Sequence, residues 1–166
     1  MALAEELGME QYQKRVRIFA SDVDTEAVHQ AQHGHYSMMQ MANIPVAMRE
    51  RYFEPDGTSY RMCSALRSPL RFCQHNLLED PPMSHVDLIV CRNVLMYFNQ
   101  MGKTKVLKPF YRSLNRTGVL FIGSADALPQ ENRLFNLLSV KHRMLSKAEK
   151  WSFAPHLPAS KLTDCC

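Results

Sequence analysis

Apolar residues come in short runs divided by polar turns, and the runs alternate between a helical and an extended period. Leu3, Leu7 and Met9 recur about one turn apart without proline, which predicts a helix over 2–13. Val16 to Ala20 reads as a strand ending in Ser21-Asp22. Thr25 to Gln32 follows as a helix whose first amides Asp24 or Thr25 can accept. Gly34 stops that helix, and Tyr36 to Ile44, with its clustered Met residues, follows no clean period. Pro45 opens a short helix to Phe53, Pro55-Asp56-Gly57 is a turn, and Ser59 to Met62 is a small strand.

Leu70 to Cys73 is a further strand, leading to His75-Asn76-Leu77-Leu78 and a Pro81-Pro82 break. Val86 to Cys91 is continuously apolar after Asp87, as a strand covered on both faces should be. Gln100 to Leu114 carries Val106, Leu107, Phe110, Tyr111 and Leu114 on one face, a helix that Pro109 should bend. Asn115 to Gly118 is a turn into the strand Val119 to Ile122, which ends at Gly123-Ser124. Leu134 to Leu138 reads as a short helix. Val140 to Leu145 reads as an edge strand, with Lys141, Arg143 and Lys147 toward water.

Strands alternating with helices predict an α/β fold with an open, mostly parallel sheet and right-handed crossovers. Residues 1–150 form the expected domain, and 151–166, poor in apolar residues, a loose tail. A chain of 166 residues, 46% hydrophobic, can bury a core of its own. The net charge of +4 is scattered among separate Arg and Lys residues, which argues against a nucleic-acid footprint. No apolar run approaches the roughly 18 residues of a membrane span, and Glu5 and Glu6 interrupt the start, so a cytoplasmic protein is expected. The cysteines at 63, 73, 91, 165 and 166 lack disulfide spacing and read as reduced thiols, Cys91 in the core.

Parallel sheets bind ligands beyond the carboxyl ends of their strands, and this rule selects Ser21-Asp22, His75-Asn76, Arg92-Asn93 and Gly123-Ser124. Asp22 can accept both hydroxyls of a ribose there, or it can cap the next helix along with Asp24. Asn76 carries the donor and acceptor that an adenine edge requires, or it forms a turn. Asn93 and Tyr97, four residues apart, reach one mouth if a turn of helix follows the strand; otherwise Tyr97 is a buried ring with a wet hydroxyl. Asp22-Val23-Asp24-Thr25 also brings to mind aspartyl-phosphate phosphatases, but their Thr stands where Glu26 is and no late acidic pair follows. His29, His33 and His35 have no Glu or Cys in a zinc arrangement and read as a solvated helix end.

Ile18 to Asp24, His75-Asn76-Leu77-Leu78 and Cys91 to Phe98 together resemble the chemotaxis protein-glutamate O-methyltransferases. Arg51-Tyr52-Phe53, Gly118 to Gly123 and Lys141-His142-Arg143 are similar at the expected intervals, and the likeness covers about residues 1–146. The resemblance implies a Rossmann-like sheet binding S-adenosyl-L-methionine and methyl transfer to glutamate side chains of a chemoreceptor or related signalling protein. It places Asp22 on the ribose, Asn76 and Leu77 on the adenine, and Asn93 and Tyr97 beside the methyl group as catalytic residues, Asn93 also binding the cofactor. The family's first, central strand and glycine-rich loop lie directly upstream of a helix like 2–13. A domain truncated at its N-terminus is therefore expected, with an upstream segment or partner chain supplying that loop. The segment Phe53 to Tyr60 is short and resembles the methyltransferase portions fused to a methylesterase. The alternative is an inactive or regulatory remnant that acts by protein binding.

Overall fold

The computed structural model describes residues 1–129 and 131–148, and the expected tail at 151–166, with Cys165 and Cys166, lies outside the described residues. The chain divides into two compact units, Met1–Asn76 and a second from Leu77 onward.

The first unit runs α1 (Ala2–Leu7), α2 (Met9–Arg15), β1 (Ile18–Asp22), α3 (Thr25–His33), β2 (His35–Ser37), α4 (Met38–Met41) and α5 (Val46–Tyr52). It continues with β3 (Phe53–Asp56), β4 (Ser59–Met62), α6 (Ser64–Arg67) and β5 (Leu70–Gln74). The single helix expected over 2–13 is two helices, because Gly8 at φ 75° turns the chain and its carbonyl starts α2 by accepting from Tyr12. Asp24 caps α3, accepting from the amides of Glu26 and Ala27, and Gly34 at φ 65° ends it.

β1 and β5 are parallel, in register from Ile18 opposite Leu70 to Asp22 opposite Gln74. The stretch without a clean period holds β2 and α4, joined by a capping box between Ser37 and Gln40. β2, β4 and β3 form a small antiparallel sheet in that order. Beneath these elements Ala4, Tyr12, Met41, Tyr52, Phe53 and Leu66 are buried together. The Tyr12 hydroxyl donates to the Leu66 carbonyl at 2.9 Å. The Tyr52 hydroxyl donates to the Glu5 carboxylate, which Arg51 also grips through both oxygens at 3.1 Å. That hydrogen bond to Glu5, with burial, pushes the Tyr52 hydroxyl above the usual tyrosine range.

The second unit contains β6 (Val86–Cys91), a 3-10 turn (Leu95–Tyr97), α7 (Gln100–Ser113), β7 (Leu114–Ile122), β8 (Phe135–Ser139) and β9 (Met144–Lys147). Its sheet has the order β6-β7-β9-β8, with β6 and β7 parallel and β9 antiparallel to both neighbours. Asn99 caps α7, its side-chain oxygen accepting from Gly102 at 2.9 Å, and the helix runs on through Pro109. Val106, Leu107, Leu95, Leu120, Ile122 and Leu145 make the centre of the core.

Four expectations are corrected here. The turn at Asn115–Gly118 is an irregular part of β7, since Val86 opposes Leu114 while Leu88 opposes Val119. The helix expected over Leu134 to Leu138 is β8, because the run finds a strand partner in β9 and four to five apolar residues do not distinguish the two periods. The edge strand expected at Val140 to Leu145 starts at Met144 and lies inside the sheet. Its basic neighbours are tied down: Arg143 donates to the Asp126 carbonyl and Lys147 to that of Leu114 at 2.8 Å. Finally, β6 is covered on one face only within this unit. Cys91 is buried at 5% exposure while Leu88 and Val90 stand 47% and 58% exposed.

Candidate functional site

The parallel register brings the polar strand ends out at one end of each pair. In the first unit Asp22 is the last residue of β1, and its carbonyl accepts from the His75 amide at 2.9 Å, just past β5. Asn76 follows at once, so Asp22 and Asn76 share the carboxyl end of this pair. Gln74 closes the turn by donating to the Val23 carbonyl at 3.1 Å. Asp22 and Asp24 take different tasks. Asp24 turns its carboxylate onto α3, while Asp22 accepts only the Asp24 amide, at 3.0 Å, and does not reach the helix amides. Its exposed carboxylate is thus held by a local turn at the strand end.

In the second unit β6 gives way to Arg92 and Asn93. Arg92 lies over the Phe121 ring at 5.5 Å. Asn93 takes φ 57°, the left-handed region that asparagine tolerates better than most residues. The 3-10 turn then carries Tyr97, a residue 78% exposed whose amide donates to the Val94 carbonyl. Asn93 and Tyr97 therefore follow the carboxyl end of β6 on one short loop. The reading of Tyr97 as a buried ring does not hold. Leu77 packs against the core of this second unit.

Sequence reading passed over Asp126. It is fully buried, and its carboxylate accepts four backbone amides: Asn93 at 2.7 Å and Gly123 at 3.0 Å on Oδ2, Val94 and Met96 at 3.1 Å on Oδ1. Gly123 has no room for a side chain, since a Cβ there would stand 2.7 Å from Asp126 Oδ2 and 3.0 Å from Asn93 Oδ1. The available signal was an acidic residue three places after a strand-end glycine, Gly123-Ser124-Ala125-Asp126.

Cys91 borders this loop. Burial, with the Asp126 carboxylate nearby, pushes its thiol up to about 12 from an ordinary 9.0. The thiolate is the reactive form, so iodoacetamide at pH 8 is expected to modify Cys63 and Cys73 while Cys91 reacts at least about 100-fold more slowly. Peptide mass spectrometry over a labelling time course reads this directly, and equal rates would remove Cys91 from the core.

Parallel strand pairs with polar residues at their carboxyl ends mark an α/β domain, and the family match makes it an S-adenosylmethionine-binding domain of the Rossmann-like methyltransferase class. Residues 1–144 match the family described as CheR methyltransferase, SAM binding domain, and the chain belongs to that family. It is 38% identical over 111 residues to a chemotaxis protein methyltransferase of Listeria monocytogenes, covering 67% of this chain and 42% of that one. It is 32% identical over 153 residues to the chemotaxis protein methyltransferase of Escherichia coli, covering 89% and 53%. An uncharacterized 104.1 kDa protein of Rhodobacter capsulatus is 34% identical over 129 residues, which is 78% of this chain and 14% of that protein. The chain thus spans about half or less of the length of these relatives. A solved TehB-like SAM-dependent methyltransferase from Corynebacterium glutamicum aligns at TM-score 0.48 and 13% identity, over 84% of this chain and 73% of that one. No helix among the described residues is long and apolar enough to cross a membrane.

Proposed function

We propose that this chain carries the adenosine-binding and acceptor-facing parts of a cytoplasmic protein-glutamate O-methyltransferase acting on a chemoreceptor or related signalling protein, with residues 1–150 forming the methyltransferase portion. The observation that carries the reading is the placement of Asp22, Asn76 and Asn93 just beyond the carboxyl ends of parallel strands, with Asp22 released from capping by Asp24. Asp22 has the chemistry to accept both hydroxyls of a ribose. Asn76, with Leu77, has the donor, acceptor and apolar surface that an adenine requires. Asn93 and Tyr97 would stand beside the reacting methyl.

When bound, S-adenosylmethionine would supply an electrophilic methyl group for a glutamate carboxylate, with S-adenosylhomocysteine as the other product. That carboxylate is already ionised near neutral pH, so the chain needs no strong general base. Its residues have to hold the acceptor oxygen in line, and the Tyr97 hydroxyl and Asn93 amide on their short loop are suited to that task.

The methionine end of the cofactor calls for a glycine-rich strand and loop from an upstream segment or a partner chain. Two features support such an addition. Among the described residues β1 pairs only with β5 and β6 only with β7, so each keeps an edge without a strand partner. Phe19 on β1 and Leu88 and Val90 on β6 are more than 45% exposed. Calorimetry with S-adenosylhomocysteine tests the reading: the chain alone should bind weakly, and the chain supplied with a glycine-rich strand and loop should bind far more tightly. A Kd below about 10 µM for the chain alone would remove the need for the added segment. In the supplemented domain Tyr97→Phe should lower methyl transfer with folding intact, and unchanged transfer would favour a regulatory remnant.

A further inference from the structure

We infer that Asp126 is the positioning residue of the transfer site, setting the loop that presents Asn93 and Tyr97; this rests on the reading of those two residues given above. The loop Asn93 to Met96 is built as a concave row of amides. Asn93 in the left-handed region followed by Val94 at φ −119°, ψ −47° turns successive N–H groups to one side. Such a row attracts an anion, and here the Asp126 carboxylate fills it, with the Gly123 amide as a fourth donor. The clamp joins the end of β6, after which Asn93 and Tyr97 follow, to the end of β7.

The arrangement demands a carboxylate. Each oxygen serves two amides, Oδ2 those of Asn93 and Gly123 and Oδ1 those of Val94 and Met96. An asparagine in either flip would set an NH2 group against two of the four donors. The Asp126 main chain is held too, its carbonyl accepting from Arg143. Asp126 lies behind the loop at zero exposure, so it acts through Asn93 and Tyr97 and does not itself meet substrate.

Two variants disturb the clamp by different routes. Asp126→Asn removes the charge and keeps the size. Gly123→Ala keeps the charge and forces the carboxylate aside, since the new methyl would lie 2.7 Å from Oδ2. In the 166-residue chain both should speed hydrogen exchange at the Asn93, Val94 and Met96 amides by at least about tenfold, while strand amides at Ile89 and Leu120 hold their protection. In the domain supplied with a glycine-rich strand and loop, both should lower kcat by roughly 10- to 100-fold. S-adenosylhomocysteine affinity should stay within about threefold, because Asp22 and Asn76 are untouched. Asp126→Glu, which restores a carboxylate, should recover part of the lost kcat. A purely structural role would lower the melting temperature and leave kcat per folded molecule unchanged, which overturns the inference. Loss of kcat without faster exchange at Asn93 to Met96 overturns it as well. Failure of the underlying site reading looks different: the unmutated polypeptide then fails to bind S-adenosylhomocysteine, and the positioning role falls with the site.

Discussion

Replacing Asp22 by Asn, in a domain supplied with the glycine-rich segment, is expected to weaken S-adenosylmethionine binding by roughly 10- to 150-fold. Charge-assisted hydrogen bonds from a ribose diol contribute about 1.5 to 3 kcal/mol, and each 1.4 kcal/mol is about tenfold in affinity. Asn keeps the size but turns one acceptor into a donor facing a hydroxyl. Stability should barely change, because Asp24 and not Asp22 accepts the first amides of α3. Asp24→Asn is the internal control: it preserves a good cap and should leave affinity within about twofold. Paired binding titrations with thermal melts decide the matter. If Asp24→Asn proves the worse binder, the ribose belongs elsewhere.

Leu120→Ala is expected to cost the second unit about 2 to 5 kcal/mol in a urea or thermal unfolding series. Leu120 is fully buried on β7, between Ile89 of β6 and Leu145 of β9, and packs toward the apolar face of α7. Truncation there leaves a cavity at the centre of a four-stranded sheet, where neighbouring backbones cannot close in. Leu138, at 59% exposure on β8, is the comparison, and its replacement by Ala should stay within about 0.5 kcal/mol. Equal costs at the two positions would mean that the core is misplaced.

Elements that announced themselves in the sequence were those with a cap, a stop or a long apolar face. α3 lies between Asp24 and Gly34, and α7 shows one buried stripe. Val86 to Cys91 was legible as a strand, but its continuous apolar character overstated its burial. Covering both faces requires more packing than this unit provides around Leu88 and Val90. β8 was misread as a helix because its short run lacks a distinguishing period, and β9, read rightly as a strand, was given too early a start and an edge position; their pairing is a long-range decision that local residues do not record. At the candidate site the strand-end positions of Asp22, Asn76 and Asn93 were readable by the general rule for parallel sheets, and Tyr97 was picked out by its spacing from Asn93. Asp126 was not, because three of the four backbone amides that converge on it lie about 30 residues earlier in the chain.

The order β6-β7-β9-β8 has a consequence for synthesis on the ribosome. β9 is the last of the described strands to be made, yet it sits between two strands made before it. Until Met144 to Lys147 have emerged, β7 and β8 each hold an open ladder of amides and carbonyls with nothing between them. The nascent second unit must therefore wait, half-zipped, for its final strand. A ribosome stalled just short of Met144 would display a chain open to proteases and chaperones, and a few residues more would close it.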